Sequence, residues 1–222
     1  MTPDESAAAA EEVCRLAPVI PVLVVTDAGH ARPLAHALVA GGLPALEVTL
    51  RTPAALDAIR EMALVPGGRV GAGTLLTPQD VAAAVDAGAT FGVSPGATDR
   101  LVDACMEAGL PLLAGAATAS EAMRLLERGH RVQKFFPAEP SGGAAAVKAL
   151  GGPVPQVSFC PTGGITLAKA AGYLALPNVL CVGGSWVAPQ EAVEAQDWAR
   201  VEALAREAAA LPRASDLQAA LH

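Results

Sequence analysis

Residues 69–93 read RVGAGTLLTPQDVAAAVDAGATFGV and contain one complete strand–helix–strand unit. The short apolar runs at 69–73 and 89–93 predict buried strands, because each is bounded by turn residues and too short for a helix. Between them, the alanine-rich segment at 78–87 predicts a helix that stops at Gly88. Two strands joined through a helix lie parallel in one sheet, so this stretch indicates an α/β fold.

The same unit recurs along the chain. Thr-Pro pairs at 52–53 and 77–78 place an N-cap residue and a proline at helix starts. Strands are predicted at 18–25, 45–50, 69–73, 89–93, 112–115, 132–136, 156–160 and 178–182. Helices are predicted at 27–40, 53–63, 78–87, 99–108, 120–128, 144–150, 166–175 and 197–211. A leading helix is predicted within 1–16, and a short extra helix in the tail at 212–222.

Eight strand–helix units in 222 residues predict a (β/α)8 TIM barrel, a single domain over 1–222 with an extra N-terminal helix. An open, doubly wound sheet is the alternative architecture. Its glycine-rich dinucleotide fingerprint is missing after the first predicted strand, where the chain reads VVTDAG at 24–29. The barrel is therefore the favoured fold.

The composition argues against several classes of protein. A net charge of −7 does not suit a nucleic-acid binder, which needs a basic patch. No apolar run reaches the length of a membrane span, and the acidic start at Asp4 and Glu5 is unlike a secretory signal. The four cysteines are widely spaced, without metal-finger spacing, so we expect a cytoplasmic protein without disulfides.

A lysine interrupts the sixth predicted strand. Lys134 lies in the apolar run at 132–136, whereas Lys148 and Lys169 lie in alanine-rich helical stretches where solvation is expected. Because a buried ammonium is costly, such a lysine is either paired with an acid, for example Glu139, or neutral. A neutral amine attacks carbonyl groups and forms a Schiff base. The strand alone allows both interpretations.

The second predicted strand points polar residues into the barrel. Side chains alternate between the two faces of a strand, so Glu47, Thr49 and Arg51 share the inner face. The aliphatic residues between them face the covering helices. Glu47 and Arg51 either form an ion pair that only fills the barrel or belong to a functional site.

Function in such barrels gathers at the carboxyl ends of the strands. Thr74 follows the third strand, where it either binds a substrate carboxylate or caps the next turn. Glycine-rich loops with Gly163-Gly164 and Gly184-Ser185 follow the last two strands. Backbone amides and a serine hydroxyl there suit a phosphate, although ordinary tight turns are the alternative.

Metal ligands are not apparent in the sequence. The histidines, at positions 30, 36, 130 and 222, fall outside the predicted strand ends. They form no cluster with metal-ligand spacing. We therefore expect neither a metal nor an organic cofactor.

Five motifs, in this order, resemble the 2-keto-3-deoxy-6-phosphogluconate (KDPG) aldolases, also called 4-hydroxy-2-oxoglutarate (KHG) aldolases. The motifs are EVTLRT at 47–52, GAGT at 71–74, KFFPAE at 134–139, PTGG at 161–164 and GGSW at 183–186. The resemblance implies a homotrimeric class I aldolase with a (β/α)8 barrel. It implies cleavage of KDPG, a sugar acid of the Entner-Doudoroff pathway, to pyruvate and D-glyceraldehyde 3-phosphate.

The resemblance also implies a role for individual residues. Lys134 resembles the Schiff-base lysine and Glu47 the general acid–base. Arg51 and Thr74 resemble the site of the pyruvate carboxylate, and Thr162 a residue near the cleaved bond. The residues that resemble the phosphate site are Gly163, Gly164, Gly184 and Ser185.

Other activities stay open on the sequence. The galactonate epimer of KDPG is an alternative substrate, and cleavage of KHG to pyruvate and glyoxylate is an additional activity. A phosphosugar isomerase or epimerase would share the phosphate loops but needs no lysine on strand six. A non-catalytic barrel that binds a phosphorylated ligand is the remaining alternative.

Overall fold

The computed structural model describes residues 1–214 and residue 216. Eight parallel strands form one curved sheet in the order β7-β6-β5-β4-β3-β2-β1-β8, a nearly closed (β/α)8 barrel. The strands are β1 (Val19–Leu23), β2 (Ala45–Thr49), β3 (Arg69–Gly73), β4 (Phe91–Val93), β5 (Leu112–Ala116), β6 (Val132–Phe135), β7 (Ser158–Pro161) and β8 (Val182–Gly184). The predicted barrel is confirmed, and the open sheet is wrong.

Helices alternate with the strands and pack around them. They are α1 (Pro3–Arg15), α2 (Ala31–Ala40), α3 (Ala55–Ala63), α4 (Pro78–Asp86), α5 (Asp99–Ala108), α6 (Ala119–Glu127), α7 (Gly143–Gly151), α8 (Leu167–Leu174), α9 (Gln190–Glu194) and α10 (Trp198–Ala209). The main core lies between this helical layer and the outer face of the strands. Leu46 and Val48 of β2 are fully buried there, as the alternation predicts.

The last strand begins later than predicted. The apolar run at 178–182 was expected to form it, but regular pairing with β1 starts at Val182 and continues through Gly184. In the described structure, the backbone of the preceding residues pairs with β7 at an isolated bridge between Val179 and Phe159. A second isolated bridge, between Thr162 and Gly183, joins β7 and β8 nearer the carboxyl end of the barrel. Gly183 and Gly184 therefore belong to the strand itself rather than to the loop after it.

The starts of α2 and α3 differ from the prediction, whereas the start of α4 does not. The Thr77-Pro78 start is confirmed, because the Thr77 side chain accepts a hydrogen bond from the Asp80 amide. The start at Thr52 is wrong, since α3 begins at Ala55 without a side-chain cap. Thr52 instead donates its hydroxyl to the Val25 carbonyl, so a contact with the loop after β1 takes the place of capping. The segment before α2 is a 3₁₀ turn over Ala28–His30. The short helix α9 was not predicted.

The leading helix closes the amino-terminal end of the barrel. Val13 and Cys14 of α1 pack inside it against the first residues of several strands, Ala45 and Val132 among them. All four cysteines are free and buried. Within 1–214 and 216, no helix is long and apolar enough to cross a membrane. Most of the extra helix predicted at 212–222 lies outside the described residues.

Candidate active site

Strand β6 carries Lys134 into the barrel interior. The neighbouring residues face outward: Gln133 donates two hydrogen bonds to main-chain carbonyls, and Phe135 packs edge-to-face on Phe159 in the outer core. Lys134 is therefore on the inner face, where only 5% of the residue is exposed. Its Nζ also lies 5.4 Å from the centre of the Phe136 ring.

The partner of Lys134 is Glu47. The Lys134 Nζ donates to Glu47 Oε1 at 3.0 Å, and Glu47 is 2% exposed. The suggested ion pair between Glu47 and Arg51 is wrong, and so is a pair between Lys134 and Glu139. Of the two predicted states of the lysine, this structure shows the paired one. A buried carboxylate in contact with an amine can accept and return its proton.

The other inner residues of β2 differ in role. Thr49 is buried and donates its hydroxyl to the Leu23 carbonyl at 2.9 Å, so it joins β2 to β1. Arg51 follows the strand and is exposed, with no ion-pair partner within 1–214 and 216. Its unpaired positive charge at the mouth of the barrel favours an anionic ligand.

Thr74 lies at the same end of the barrel with an unusual backbone. Its φ of 62° is in the left-handed region, which a β-branched residue rarely adopts. The capping role that the sequence allowed for Thr74 belongs instead to Thr77. Strained residues of this kind concentrate at functional sites, and Thr74 borders a cavity.

A cavity of about 140 Å³, which we call the deep cavity, surrounds the lysine. It is lined by Val22, Glu47, Thr49, Arg51, Thr74, Pro95, Lys134, Phe136 and Thr162. Thr162, only 5% exposed, directs its hydroxyl toward the Cys160 carbonyl and sulfur. Five of the predicted site residues therefore meet here: Glu47, Arg51, Thr74, Lys134 and Thr162.

A second cavity, about 270 Å³ in volume, adjoins the first and is called the outer cavity. The two share Val22, Arg51, Phe136 and Thr162. The outer cavity also contains the four predicted phosphate residues, which are Gly163, Gly164, Gly184 and Ser185. The predicted site residues thus line two adjoining cavities, one around the lysine and one beside glycine-rich backbone.

The Gly163-Gly164 turn borders this space. The two residues have φ values of 108° and 77°, a conformation that favours glycine. The bridge between Thr162 and Gly183 engages backbone groups on the Gly163 side of the turn, whereas the Gly164 amide donates no hydrogen bond to any of residues 1–214 and 216. A free backbone N–H group in such a turn can bind an anion.

Packing against a neighbouring side chain explains why residue 184 is a glycine. A Cβ at this position would lie 2.5 Å from Cη2 of Trp186, so the indole ring covers the strand at this point. The ordinary-turn interpretation is thus wrong for Gly184, which is part of β8.

Glu139 supports the loops rather than the lysine. Its carboxylate accepts hydrogen bonds from Lys169 and from the Tyr173 hydroxyl, the latter at 2.6 Å. These two donors, Lys169 first, lower the pKa of Glu139. Its amide donates to the Gly163 carbonyl at 3.1 Å, which connects the loops after β6 and β7.

Sequence reasoning missed part of the lining. Phe136 follows Lys134 by two residues, so the alternation rule would have placed both side chains on the same face. A third cavity, of about 400 Å³, lies beside Ser185 and is bordered by Asp27, His30 and Trp186. Loop residues distant in sequence form it, and no local pattern predicts such a grouping. Within the described residues, no group of histidine, cysteine or acidic side chains is arranged to hold a metal.

Comparison with known proteins decides the family. The model of the family described as KDPG and KHG aldolase matches residues 10–204. The chain belongs to this aldolase family. It is therefore an enzyme, and the resemblance found in the five motifs is confirmed.

Three relatives illustrate the similarity to the KDPG and KHG aldolases. The Escherichia coli K12 protein named KHG/KDPG aldolase is 52% identical over 200 residues, which cover 90% of this chain and 94% of that protein. The KDPG aldolase of Zymomonas mobilis ZM4, solved with 3-phosphoglycerate, is 51% identical with a TM-score of 0.89 and coverage of 92% and 97%. The KDPG aldolase of Legionella pneumophila, solved with pyruvate as a covalent carbinolamine, is 45% identical with a TM-score of 0.88 and coverage of 90% and 98%.

Proposed function

We propose that this aldolase cleaves KDPG to pyruvate and D-glyceraldehyde 3-phosphate through a Schiff base on Lys134. The observation that carries the proposal is the buried contact between Lys134 and Glu47 inside the deep cavity. An amine needs to lose a proton before it attacks a carbonyl, and the Lys134 amine donates its hydrogen bond to the Glu47 carboxylate. The relatives named above as KDPG aldolases support the choice of substrate.

The first half of the reaction forms the imine. Glu47 takes a proton from Lys134, and the neutral amine adds to the C2 ketone to give a carbinolamine. Proton return from Glu47 to the carbinolamine oxygen releases it as water and leaves a protonated imine. That the Legionella relative holds pyruvate as a carbinolamine supports this route.

The second half breaks the carbon–carbon bond. A base, Glu47 directly or through a water, removes the proton of the C4 hydroxyl. The electrons of the C3–C4 bond then move into the imine, which gives an enamine and the free aldehyde. Protonation of the enamine at C3 and addition of water to the imine release pyruvate and restore Lys134.

Binding is divided between the two cavities. Arg51 and Thr74 hold the carboxylate next to the lysine, and Thr162 lies near the cleaved bond. The phosphate binds in the outer cavity at Gly163, Gly164, Gly184 and Ser185. The free Gly164 amide and the unpaired Arg51 support this assignment.

KHG is a second proposed substrate. It shares with KDPG the 2-keto-4-hydroxy acid portion that reacts, and it has no phosphate. The deep cavity alone therefore holds its reacting atoms. The E. coli relative carries both substrates in its name, which supports the additional activity. The homotrimer stays a prediction from the resemblance, and the cytoplasmic location stays a prediction from the composition.

Borohydride reduction in the presence of pyruvate tests the proposal. The reduced pyruvate adduct should appear on Lys134, and Lys134→Ala should abolish both the adduct and the activity. An adduct on Lys148 or Lys169 would contradict the assignment of Lys134, and the absence of any adduct would contradict the Schiff-base mechanism. Pyruvate release from the gluconate-derived and galactonate-derived substrates then decides between the two epimers.

A further inference from the structure

The last residue of β3 lies against the Glu47 side chain. Gly73 is buried and pairs in register with Thr49 of the neighbouring strand β2. A Cβ built on Gly73 would lie 2.7 Å from Glu47 Cγ and 2.9 Å from Cδ, and it would overlap Oε1. Real Cβ atoms essentially never approach other atoms within 3.0 Å, so the Glu47 carboxylate occupies the space that a side chain would need.

The overlapped oxygen is the one that contacts the lysine. Oε1 of Glu47 accepts the 3.0 Å hydrogen bond from Lys134 Nζ, whereas Oε2 is 3.4 Å away. Anything that displaces Oε1 therefore lengthens the contact through which the proton moves. Proton transfer needs the two heavy atoms within about 2.6–3.2 Å or a bridging water.

The backbone of Gly73 has little freedom to yield. Its carbonyl accepts a hydrogen bond from the Leu50 amide at 2.8 Å within the β2–β3 ladder. Its φ lies outside the left-handed region, so an alanine would suit the backbone and would be excluded by space alone. The Glu47 side chain is thus the part that moves.

We infer that Gly73 is a positioning residue, which sets Glu47 Oε1 against Lys134 by leaving room for the carboxylate. This inference rests on the proposed function of Glu47 and Lys134. It explains a glycine at the strand end by the catalytic pair rather than by a ligand or a turn.

Gly71 provides a matched control on the same strand. It also lies on the inner face of β3, but a Cβ there would meet the Phe91 ring, 2.5 Å from Cδ2 and Cζ. Gly71→Ala should therefore destabilise the barrel through Phe91 and leave the turnover of the folded enzyme near that of the wild type. Gly73→Ala should instead lower the kcat of the folded enzyme.

The test is a double-mutant cycle with Gly73→Ala and Glu47→Ala, read by kcat, KM and Tm. We expect Gly73→Ala to lower kcat about 10- to 100-fold, because a 1 Å displacement of a catalytic group can cost that much, while KM changes less. In the wild-type background Gly73→Ala should also lower Tm, because its Cβ overlaps the buried Glu47 side chain. In the Glu47→Ala background the overlapped atoms are absent, so it should leave kcat within about twofold and should leave Tm unchanged.

Several outcomes would overturn the inference. A folded Gly73→Ala enzyme with normal kcat contradicts it, as does an equal further loss of kcat or Tm in the Glu47→Ala background. If Gly73→Ala alone does not fold, the double variant should fold, and its failure would assign the damage elsewhere. Failure of the proposed function would give a different result, because the wild type would not trap pyruvate on Lys134. The Tm values of the four proteins in the cycle would still measure the contact between Gly73 and Glu47.

Discussion

Lys134 Nζ lies 3.0 Å from Glu47 Oε1, and 7% and 3% of the two side chains are exposed. The two residues are 87 positions apart in sequence and come from β6 and β2, so closure of the barrel creates the contact. A buried pair of this kind is poor evidence of stability by itself, because desolvation offsets much of the attraction. Its value here is chemical: a proton donor and an acceptor held out of water at the end of a ligand cavity.

Glu47→Gln should abolish most of the activity. The amide keeps the shape of the carboxylate but cannot take or return a proton, so kcat should fall by about 10²- to 10⁴-fold. The variant also leaves a buried lysine without its anionic partner, so a lower Tm is expected as well. A lower Tm is expected whether Glu47 is a general acid–base or only a structural partner of the buried lysine. The measurement that decides between these two roles is therefore kcat per folded molecule.

Glu139→Gln is the matched control for that experiment. Glu139 follows β6 but contacts Lys169 and Tyr173 instead of Lys134. Its turnover should stay within a few fold of the wild type. Comparable losses of kcat in the two variants would remove the special role of Glu47 and leave the general base unassigned.

Arg51→Gln should weaken every keto-acid substrate alike. The proposed contact is with the carboxylate, which KDPG and KHG share, and a hydrogen bond to a charged group contributes about 1.5–3 kcal/mol. We expect kcat/KM to fall about 10- to 100-fold for both substrates. Arg100→Gln makes the same charge change at an exposed position on α5 and should have little effect. A loss confined to the phosphorylated substrate would move Arg51 to the phosphate site.

Ser185→Asp should discriminate between the substrates. Substitution at Gly163 is a poor test, since its φ of 108° makes any side chain strained. Ser185 is exposed at the end of β8, and an aspartate there removes a donor and repels a phosphate. We expect kcat/KM for KDPG to fall at least about tenfold while that for KHG is nearly unchanged. Ser120→Asp on α6 controls for the added charge, and equal losses for both substrates would contradict the phosphate assignment.

His130 should make stability depend on pH. The side chain is 3% exposed, its Nε2 has no partner among the described residues, and burial lowers its pKa. The unfolded chain therefore binds the proton first, so stability falls as the pH drops below about 6.5, the ordinary histidine value, and is unaffected above it. In His130→Gln the difference in Tm between pH 8 and pH 5 should be smaller than in the wild type. The exposed His36→Gln serves as control, and an unchanged difference in His130→Gln would refute the prediction.

The fold was largely predictable because the sequence repeats one local pattern. Strand β3 has the bounds predicted for it, and β2 differs by one residue. The start of β8 was not predictable, because the apolar residues at 178–181 look like a strand but pair with β7 at a single bridge. The β-propensity of these residues indicates that they are buried. It does not indicate which neighbouring strand forms hydrogen bonds with them.

The burial of Glu47 and Lys134 inside the barrel was predictable, whereas their pairing was not. Alternation along β2 and β6 places Glu47 and Lys134 inside the barrel, yet it does not say which cation Glu47 will meet. Arg51 was the neighbour along the strand, and the closed barrel brings Lys134 closer. The space that Gly73 leaves for Glu47 depends on the register between two strands, which is equally invisible in a local pattern.

The wall shared by the deep and outer cavities makes this barrel suited to engineering as a carbon–carbon bond-forming catalyst. On the proposed mechanism, the enamine of lysine-bound pyruvate is the nucleophile in the synthetic direction, and the aldehyde binds on the glycine-rich side. Substitutions in the outer cavity that leave the shared residues Arg51, Phe136 and Thr162 unchanged would therefore change which aldehydes are accepted. They would leave the nucleophile in the deep cavity undisturbed. Libraries confined to the outer cavity should yield altered acceptor scope far more often than inactive protein.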